Sequence, residues 1–249
     1  MKLASVTLAR VIGFIETADL NPRGRAFFPH LAPLLVERFG FLKYPQAATD
    51  FDEEKGVVFS EGHIGDVSVD KIIIWYNGIQ IDTRTSTDAC ERLLHETLEW
   101  LRDKVGLVYE RDMIRRWAHL SSVTFYSNAD FGNLHPALKK LCGALSGMVA
   151  GIRESTFDFG FAGMSLSFDR WNRTAPVASF ILQRRADTPF SDNKYYSEAP
   201  LPTDLHIKLL EEFEADFLAA QGHVVTRPVE RGRAEHVPAR RIGQEGLPE

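Results

Sequence analysis

Residues 184–203 carry a dense mixture of aromatic, charged and amide side chains. A connection of this length is uncommon inside a compact domain and is often functional. Arginine and tyrosine are favoured at binding hot spots because each buries a large area while keeping a polar end. We therefore expect a partner-recognition loop, although an ordered loop in which the two tyrosines pack on the core is the alternative. The candidate partner-binding residues are Arg184, Arg185, Phe190, Asp192, Asn193, Tyr195 and Tyr196.

Two further arginines, Arg115 and Arg116, are candidates for the same role. The spacing of residues 109–119 predicts a short helix on which Arg111 and Arg115 share one face. Guanidinium groups bind carboxylates and phosphates in bidentate geometry, so this face suits an acidic partner or a phosphate. A solvated linker helix explains the same residues without a partner, and the sequence leaves both interpretations open.

No local motif assembles a catalytic site, since neither a Gly-x-Ser-x-Gly turn nor a Gly-x-x-x-x-Gly-Lys phosphate loop occurs. Residues 95–99 lack the second histidine of a zinc-protease helix, and the acidic residues 50–54 fit a solvated turn. We expect neither a metal site nor a cofactor. A catalytic site can still be built from distant residues, and an enzyme is the first alternative function. Its candidate residues are His119, His135, Asp130, Arg184 and Asp192.

Net charge and composition limit the function classes further. The chain of 249 residues has a formal net charge of −5, whereas a dedicated duplex-DNA binder usually has a basic surface. Nucleic-acid binding is therefore the second alternative function. It would use Arg115, Arg116, Arg184, Arg185 and the C-terminal tail.

The cysteines and the apolar segments indicate the compartment. Cys90 and Cys142 do not make a disulfide framework. We identify neither a signal peptide nor the stretch of about 20 apolar residues that a membrane helix needs. These features lead us to expect a cytoplasmic protein that does not bind a membrane.

Hydrophobic periodicity predicts a mixture of strands and helices. The Asn77-Gly78 pair between two β-rich runs predicts a type I′ hairpin, because both turn residues of that hairpin need positive φ. Asp88 and Glu91 predict a capping box for a helix over residues 89–104. Two more helices are expected over residues 136–149, with Leu138, Leu141, Leu145 and Val149 inward, and over residues 205–220.

An internal repeat organises these elements. Residues 87–96 and 203–212 share a threonine, an aspartate, a base, two leucines and a glutamate in the same order. Strands joined by hairpins give an antiparallel sheet with helices on one face. We predict an α+β fold with two duplicated strand–helix–strands–helix halves, residues 8–106 and 120–221, related by a pseudo-twofold axis. They would form one domain over residues 1–221, followed by a flexible tail over residues 222–249.

This order of elements resembles the duplicated plan of the TATA-box-binding protein family. The resemblance is confined to element order, and no residue motif carries a function over. The sequence favours a non-catalytic binding or scaffolding subunit of a cytoplasmic protein assembly, which uses a sheet surface and residues 184–203. The partner would be another protein or a second copy of the chain.

Overall fold

The computed structural model describes residues 1–24, 26–153, 155–168 and 177–223. Within them the chain forms an eight-stranded antiparallel sheet and five α-helices, which confirms the predicted α+β class. The predicted C-terminal tail lies outside the described residues from position 224 onward. No helix in the described part of the chain is long and apolar enough to cross a membrane.

The eight strands form one sheet with the order β2-β3-β4-β1-β5-β8-β7-β6. Strands β1 and β5 are the longest, and they pair antiparallel at the centre of the sheet. Every neighbouring pair is antiparallel. The strands are β1 (Lys2–Phe14), β2 (Val57–Ile64), β3 (Val67–Trp75), β4 (Gly78–Thr83), β5 (Arg116–Tyr126), β6 (Gly163–Leu166), β7 (Phe180–Arg184) and β8 (Lys194–Ala199).

The helix predicted over residues 89–104 has capping residues at both ends. The predicted helix after Thr87 is confirmed, but its cap is Ser86 rather than Asp88, because the Ser86 hydroxyl accepts a hydrogen bond from the Ala89 N–H at 3.2 Å. Gly106 ends it in the left-handed conformation that favours glycine. The helices are α1 (Thr17–Leu20), α2 (Phe28–Phe39), α3 (Thr87–Val105), α4 (Pro136–Arg153) and α5 (Thr203–His223).

The hairpin between β3 and β4 is confirmed, but the predicted turn type is wrong. Trp75 pairs with Gly78, so the two-residue loop is Tyr76-Asn77, and neither residue has a positive φ. Gly78 is a strand residue instead. A Cβ at Gly78 would lie 3.2 Å from the carbonyl oxygen of Gly13, so close strand packing rather than turn geometry favours glycine here.

Two predicted elements after residue 106 are replaced by strands. The helix expected over residues 109–119 is wrong: a short 3-10 turn over Arg111–Met113 leads directly into β5. The long loop expected over residues 184–203 is also wrong, because its middle forms β8 between β5 and β7. Alternating burial along β8 is the pattern of a strand inside a sheet.

The core lies between the sheet and the helices in two clusters. The larger cluster joins α2 and α3 to β1–β4, and the smaller one joins α5 to β5, β7 and β8. Helix α4 belongs to neither cluster. The prediction that Leu141 and Leu145 point inward is wrong, because α4 has no buried residue and both side chains are exposed.

Candidate recognition surface

The pleat divides the side chains of the sheet between two faces. On the helix face, Ala9 and Ile81 pack under α3, and Val123 packs near α5. On the opposite face, which we call the open face, no helix packs within the described ranges. An approaching molecule would meet the longer side chains of this face, because shorter ones such as Asp82, Ser122 and Thr124 are buried.

A buried carboxylate, Asp82, lies at the centre of the open face. Its side chain receives two hydrogen bonds at 2.8 Å from the Arg10 guanidinium and two more from the Gln80 amide at 2.9 and 3.0 Å. The hydrogen bonds to Asp82 raise the pKa of Arg10, as do the charges of Asp82 and Glu198. The bidentate pair fixes the Arg10 side chain across β1 and β4.

A second carboxylate, Glu198, occupies a similar place on β8. The Ser122 hydroxyl donates to it at 3.1 Å from the neighbouring strand, and the Tyr196 hydroxyl donates at 3.0 Å from two residues earlier. Burial raises the pKa of Tyr196, so the phenol stays protonated as a donor. The two carboxylates thus each have one partner across the ladder and one partner on their own strand.

Cations surround these two polar groups and lie over aromatic rings. The Arg116 guanidinium lies 4.0 Å from the ring centre of Phe14, and the Lys194 ammonium lies 5.2 Å from that of Tyr126. Contacts of this kind hold a cation at the surface without neutralising it.

The open face is basic although the whole chain is acidic. Among the charged side chains that the strand register assigns to this face on β1, β3, β4, β5 and β8, five are basic and two are acidic, a formal excess of three positive charges against a net charge of −5 for the chain. Their strand registers place the following charged residues on this face: Lys2, Arg10, Lys71, Arg116, Lys194, Asp82 and Glu198. Asp70 in the β3 bulge is outside this count, and its charge is balanced by Arg84.

The structure distributes the sequence-predicted binding residues between several places. Tyr196 and Arg116 lie on the open face, and Arg185 is close enough for its charge to lower the pKa of Tyr196 against the larger effect of burial. Arg115 is exposed just before β5. Tyr195 is only 2% exposed and belongs to the core, as the alternative interpretation of residues 184–203 expected.

Arg184 holds the β7–β8 connection on the helix face. Its guanidinium pairs with Asp130, donates to the carbonyl of Phe190 at 2.7 Å and lies over the Phe190 and Tyr195 rings. Asn193 takes the left-handed conformation after the short turn that contains Asp192. These residues border a cavity of about 670 Å³ between the connection and α4. Arg184, Asp130, Phe190 and Asn193 are thus brought together, away from Tyr196.

The residues proposed for an enzyme do not converge on one site. His119 pairs with Glu91 of α3 at 2.5 Å, whereas His135 accepts from the Ala137 N–H at the start of α4. Only Asp130 and Arg184 meet, as an ion pair. Among the described residues no group of three histidine, cysteine or acidic side chains could hold a metal ion.

Sequence reasoning missed the polar centre of the open face. Gln80 and Asp82 alternate with Ile79 and Ile81 in a strand that the structure buries on both faces. A charged residue in such a strand needs a partner, so the alternation alone could have marked Asp82. Its partner Arg10 is 72 residues away in the chain, and nothing in the sequence identifies that pairing.

His206 is a buried titratable group beneath the centre of the sheet. Its Nε2 and Nδ1 lie 2.9 Å from the Ser197 hydroxyl and 3.2 Å from the Ser121 hydroxyl, and the ring has no exposed surface. The Ser197 hydroxyl also lies 2.8 Å from the Ile181 carbonyl, to which it donates. Burial lowers the pKa of His206 to about 4.

We expect this histidine to make the protein labile to acid. The unfolded chain takes up a proton at His206 as the pH falls below about 6.5, but the folded chain does so only near pH 4, so folding loses roughly 3 kcal/mol across that window. Chemical denaturation at several pH values should show that the free energy of unfolding falls less with decreasing pH for His206→Gln than for the wild type. The exposed His135→Gln is the control and should keep the wild-type slope.

Comparison of the chain with protein-family models, with curated proteins and with solved structures finds no significant match.

Proposed function

We propose that this protein is a non-catalytic binding subunit of a protein assembly and that the open face of its sheet is the recognition surface. The basic excess of that face on an acidic chain carries the proposal. A surface of one charge sign attracts a partner of the opposite sign and suppresses wrong partners. The partner we infer is an acidic segment of another protein.

The two carboxylates of the open face support a rigid platform. Asp82 and Glu198 are already satisfied by neighbouring side chains, so they do not compete with an acidic ligand for the outer cations. Lys71, Arg116 and Lys194 lie around them on β3, β5 and β8. These outer cations would meet the carboxylates of the partner, while the pairs at the centre keep the sheet surface in place.

Charge reversal of the outer cations tests this function. We expect the triple variant Lys71→Glu, Arg116→Glu, Lys194→Glu to lose at least about tenfold in affinity for the protein partner, with a weaker salt dependence. The matched control reverses three charges on α3, Arg92, Arg102 and Lys104, on the other side of the sheet. Quantitative pull-down from a nuclease-treated extract, followed by calorimetry with the purified partner, measures the effect. If both variants capture the partner equally well, the open face is not the recognition surface.

Nucleic-acid binding is the second candidate function for the same surface. Phe14, Tyr126 and Tyr196 lie beside cations, and aromatic rings next to basic groups form stacking platforms for single strands. Fluorescence anisotropy with a single-stranded oligonucleotide distinguishes the two. A salt-sensitive signal that the charge-reversed variant loses would favour nucleic acid over an acidic protein.

We also infer that the two halves descend from one duplicated unit. The strand order supports this, because it places β1 and β5 at the centre and β2 and β6 at the two edges. At the offset of the sequence repeat, the Thr87 N–H donates to the Thr203 hydroxyl at 3.1 Å and the Thr203 N–H donates to the Thr87 hydroxyl at 2.9 Å. The two carboxylates of the open face, Asp82 and Glu198, are also separated by 116 positions.

A reducing compartment such as the cytoplasm is part of the proposal. Both cysteines are free thiols. Burial raises the pKa of Cys90 to about 11, and its sulfur lies 3.3 Å from the carbonyl oxygen of Ala9, to which the thiol donates. This thiol is therefore a packed core group and not a reactive one.

A further inference from the structure

Helix α4 exposes an apolar stripe that nothing in the described chain covers. Leu141, Leu145, Met148 and Ile152 are 63, 40, 69 and 79% exposed. They follow one another at spacings of four, three and four residues, which is the spacing of a helix–helix seam. Soluble monomers rarely leave a continuous stripe of this kind in water, and such surfaces mark interfaces.

The first half of the chain shows what an equivalent helix does when it has a partner. Helix α2 buries Leu31, Leu35 and Phe39 in the larger core cluster, and its Arg38 lies 4.6 Å from the ring centre of Trp100 in α3. In the second half, α5 is packed on the sheet, yet its outer side exposes Leu205 and Leu209. The exposure of Leu141, Met148 and Ile152 shows that α5 does not cover the α4 stripe in the described part of this chain.

The charges of α4 and α5 are complementary. Helix α4 has three basic residues and no acidic one. The exposed charged residues of α5 are four acids and one base, a formal charge of −3 against +3 on α4. These residues are Lys139, Lys140 and Arg153 on α4, and Asp204, Lys208, Glu211, Glu212 and Asp216 on α5.

We propose that a second copy of this chain covers the stripe, with α4 of each copy lying antiparallel on α5 of the other. Leu141 to Ile152 and Leu205 to Asp216 each span eleven steps, so an antiparallel pair sets Ile152 against Leu205 and Met148 against Leu209. In this alignment Leu145 and Leu141 lie level with Glu212 and Asp216. The same alignment brings Lys140 close to Asp216. Pairing of α4 with α4 of the second copy is disfavoured, because both helices in that contact carry only basic charged residues.

The area of this contact suits a stable dimer. Each copy contributes six apolar side chains, four from α4 and two from α5, and each buries roughly 60 Å². The pair therefore buries roughly 700 Å² of apolar area. At the usual apolar share this corresponds to an interface of about 1,200 Å², the lower end of specific interfaces. The two contacts are equivalent and related by a twofold axis, so the assembly stops at a dimer.

Removal of the stripe tests the dimer directly. Sedimentation velocity on the full chain should show a dimer that dissociates at low concentration. The variant Leu145→Ser, Met148→Ser should raise the dimer Kd at least about tenfold, since two central side chains of the seam are lost. The control Leu42→Ser, Val108→Ser removes two exposed apolar groups outside the stripe and should leave the Kd unchanged. A monomeric wild type, or equal Kd values for both variants, overturns the proposal.

A charge exchange tests the pairing of α4 with α5 and does not depend on core stability. Lys139→Glu with Lys140→Glu, and separately Glu212→Lys with Asp216→Lys, should each weaken self-association at low ionic strength. Mixed together, the two variants should form a heterodimer, because both contacts then join opposite charges. A mixture that stays as weak as either variant alone overturns the proposed α4–α5 arrangement. Neither experiment involves the open face, so the proposed function can fail without affecting this result.

Discussion

Replacing Arg10 with alanine should lower the free energy of unfolding by about 3 kcal/mol, although the residue is partly exposed and lies on the surface that we assign to binding. The reason is Asp82, which is 3% exposed and would keep only the Gln80 amide as a partner. A buried carboxylate that loses its cation costs far more than the contact itself contributed. Urea denaturation followed by circular dichroism measures the change.

An exposed ion pair of the same sheet provides the control. Arg84 pairs with Asp70 at 2.9 Å, but its side chain is largely exposed, so Arg84→Ala should cost less than about 1 kcal/mol. The double variant Arg10→Ala, Asp82→Leu should recover part of the loss, because it removes the charge as well as its partner. If Arg10→Ala lowers the free energy of unfolding as little as Arg84→Ala does, the ion pair with Arg10 does not compensate for the burial of the Asp82 charge.

The fold class could be predicted because local patterns determine most of the elements. The capped helix after Thr87 and the hairpin before Gly78 both follow from short-range chemistry. The strand β5 was recognised from the sequence only over residues 123–127, and its first part was not. The charged residues around Arg116 have a pattern that is typical of a solvated helix. Only the pairing with β1 on one side and β8 on the other makes this segment a central strand.

The candidate surface was harder to predict than the fold. The residues of the open face come from strands separated by up to about two hundred positions, and they meet only through the sheet register. Sequence reasoning found Tyr196 and Arg116 because their residue types suit binding, but it also selected Tyr195 and Arg184. Neighbours in a strand point to opposite faces, so residues 195 and 196 could not both lie on the same surface once β8 forms.

Tyr195→Ala should therefore destabilise the protein by about 3–5 kcal/mol, whereas Tyr196→Ala should cost only about 1 kcal/mol. The Tyr195 ring lies 4.9 Å from that of Phe131 and 5.8 Å from that of Phe125, and its hydroxyl accepts the Phe131 N–H at 3.1 Å. Its loss leaves both a cavity and an unpaired N–H. Tyr196 gives up half-buried area and one hydrogen bond to Glu198.

Binding should respond in the opposite order, and this contrast separates the core from the recognition surface. Tyr196→Ala should weaken partner capture while the fold stays intact, because its ring faces outward beside the cations of the open face. Tyr195→Phe is the matched variant for the core: it keeps the ring and should lose only about 1–2 kcal/mol of stability, with capture unchanged. Thermal unfolding and pull-down on the same preparations measure both effects. If capture falls with Tyr195→Phe and persists with Tyr196→Ala, the partner contacts the helix face, and the assignment of the open face is wrong.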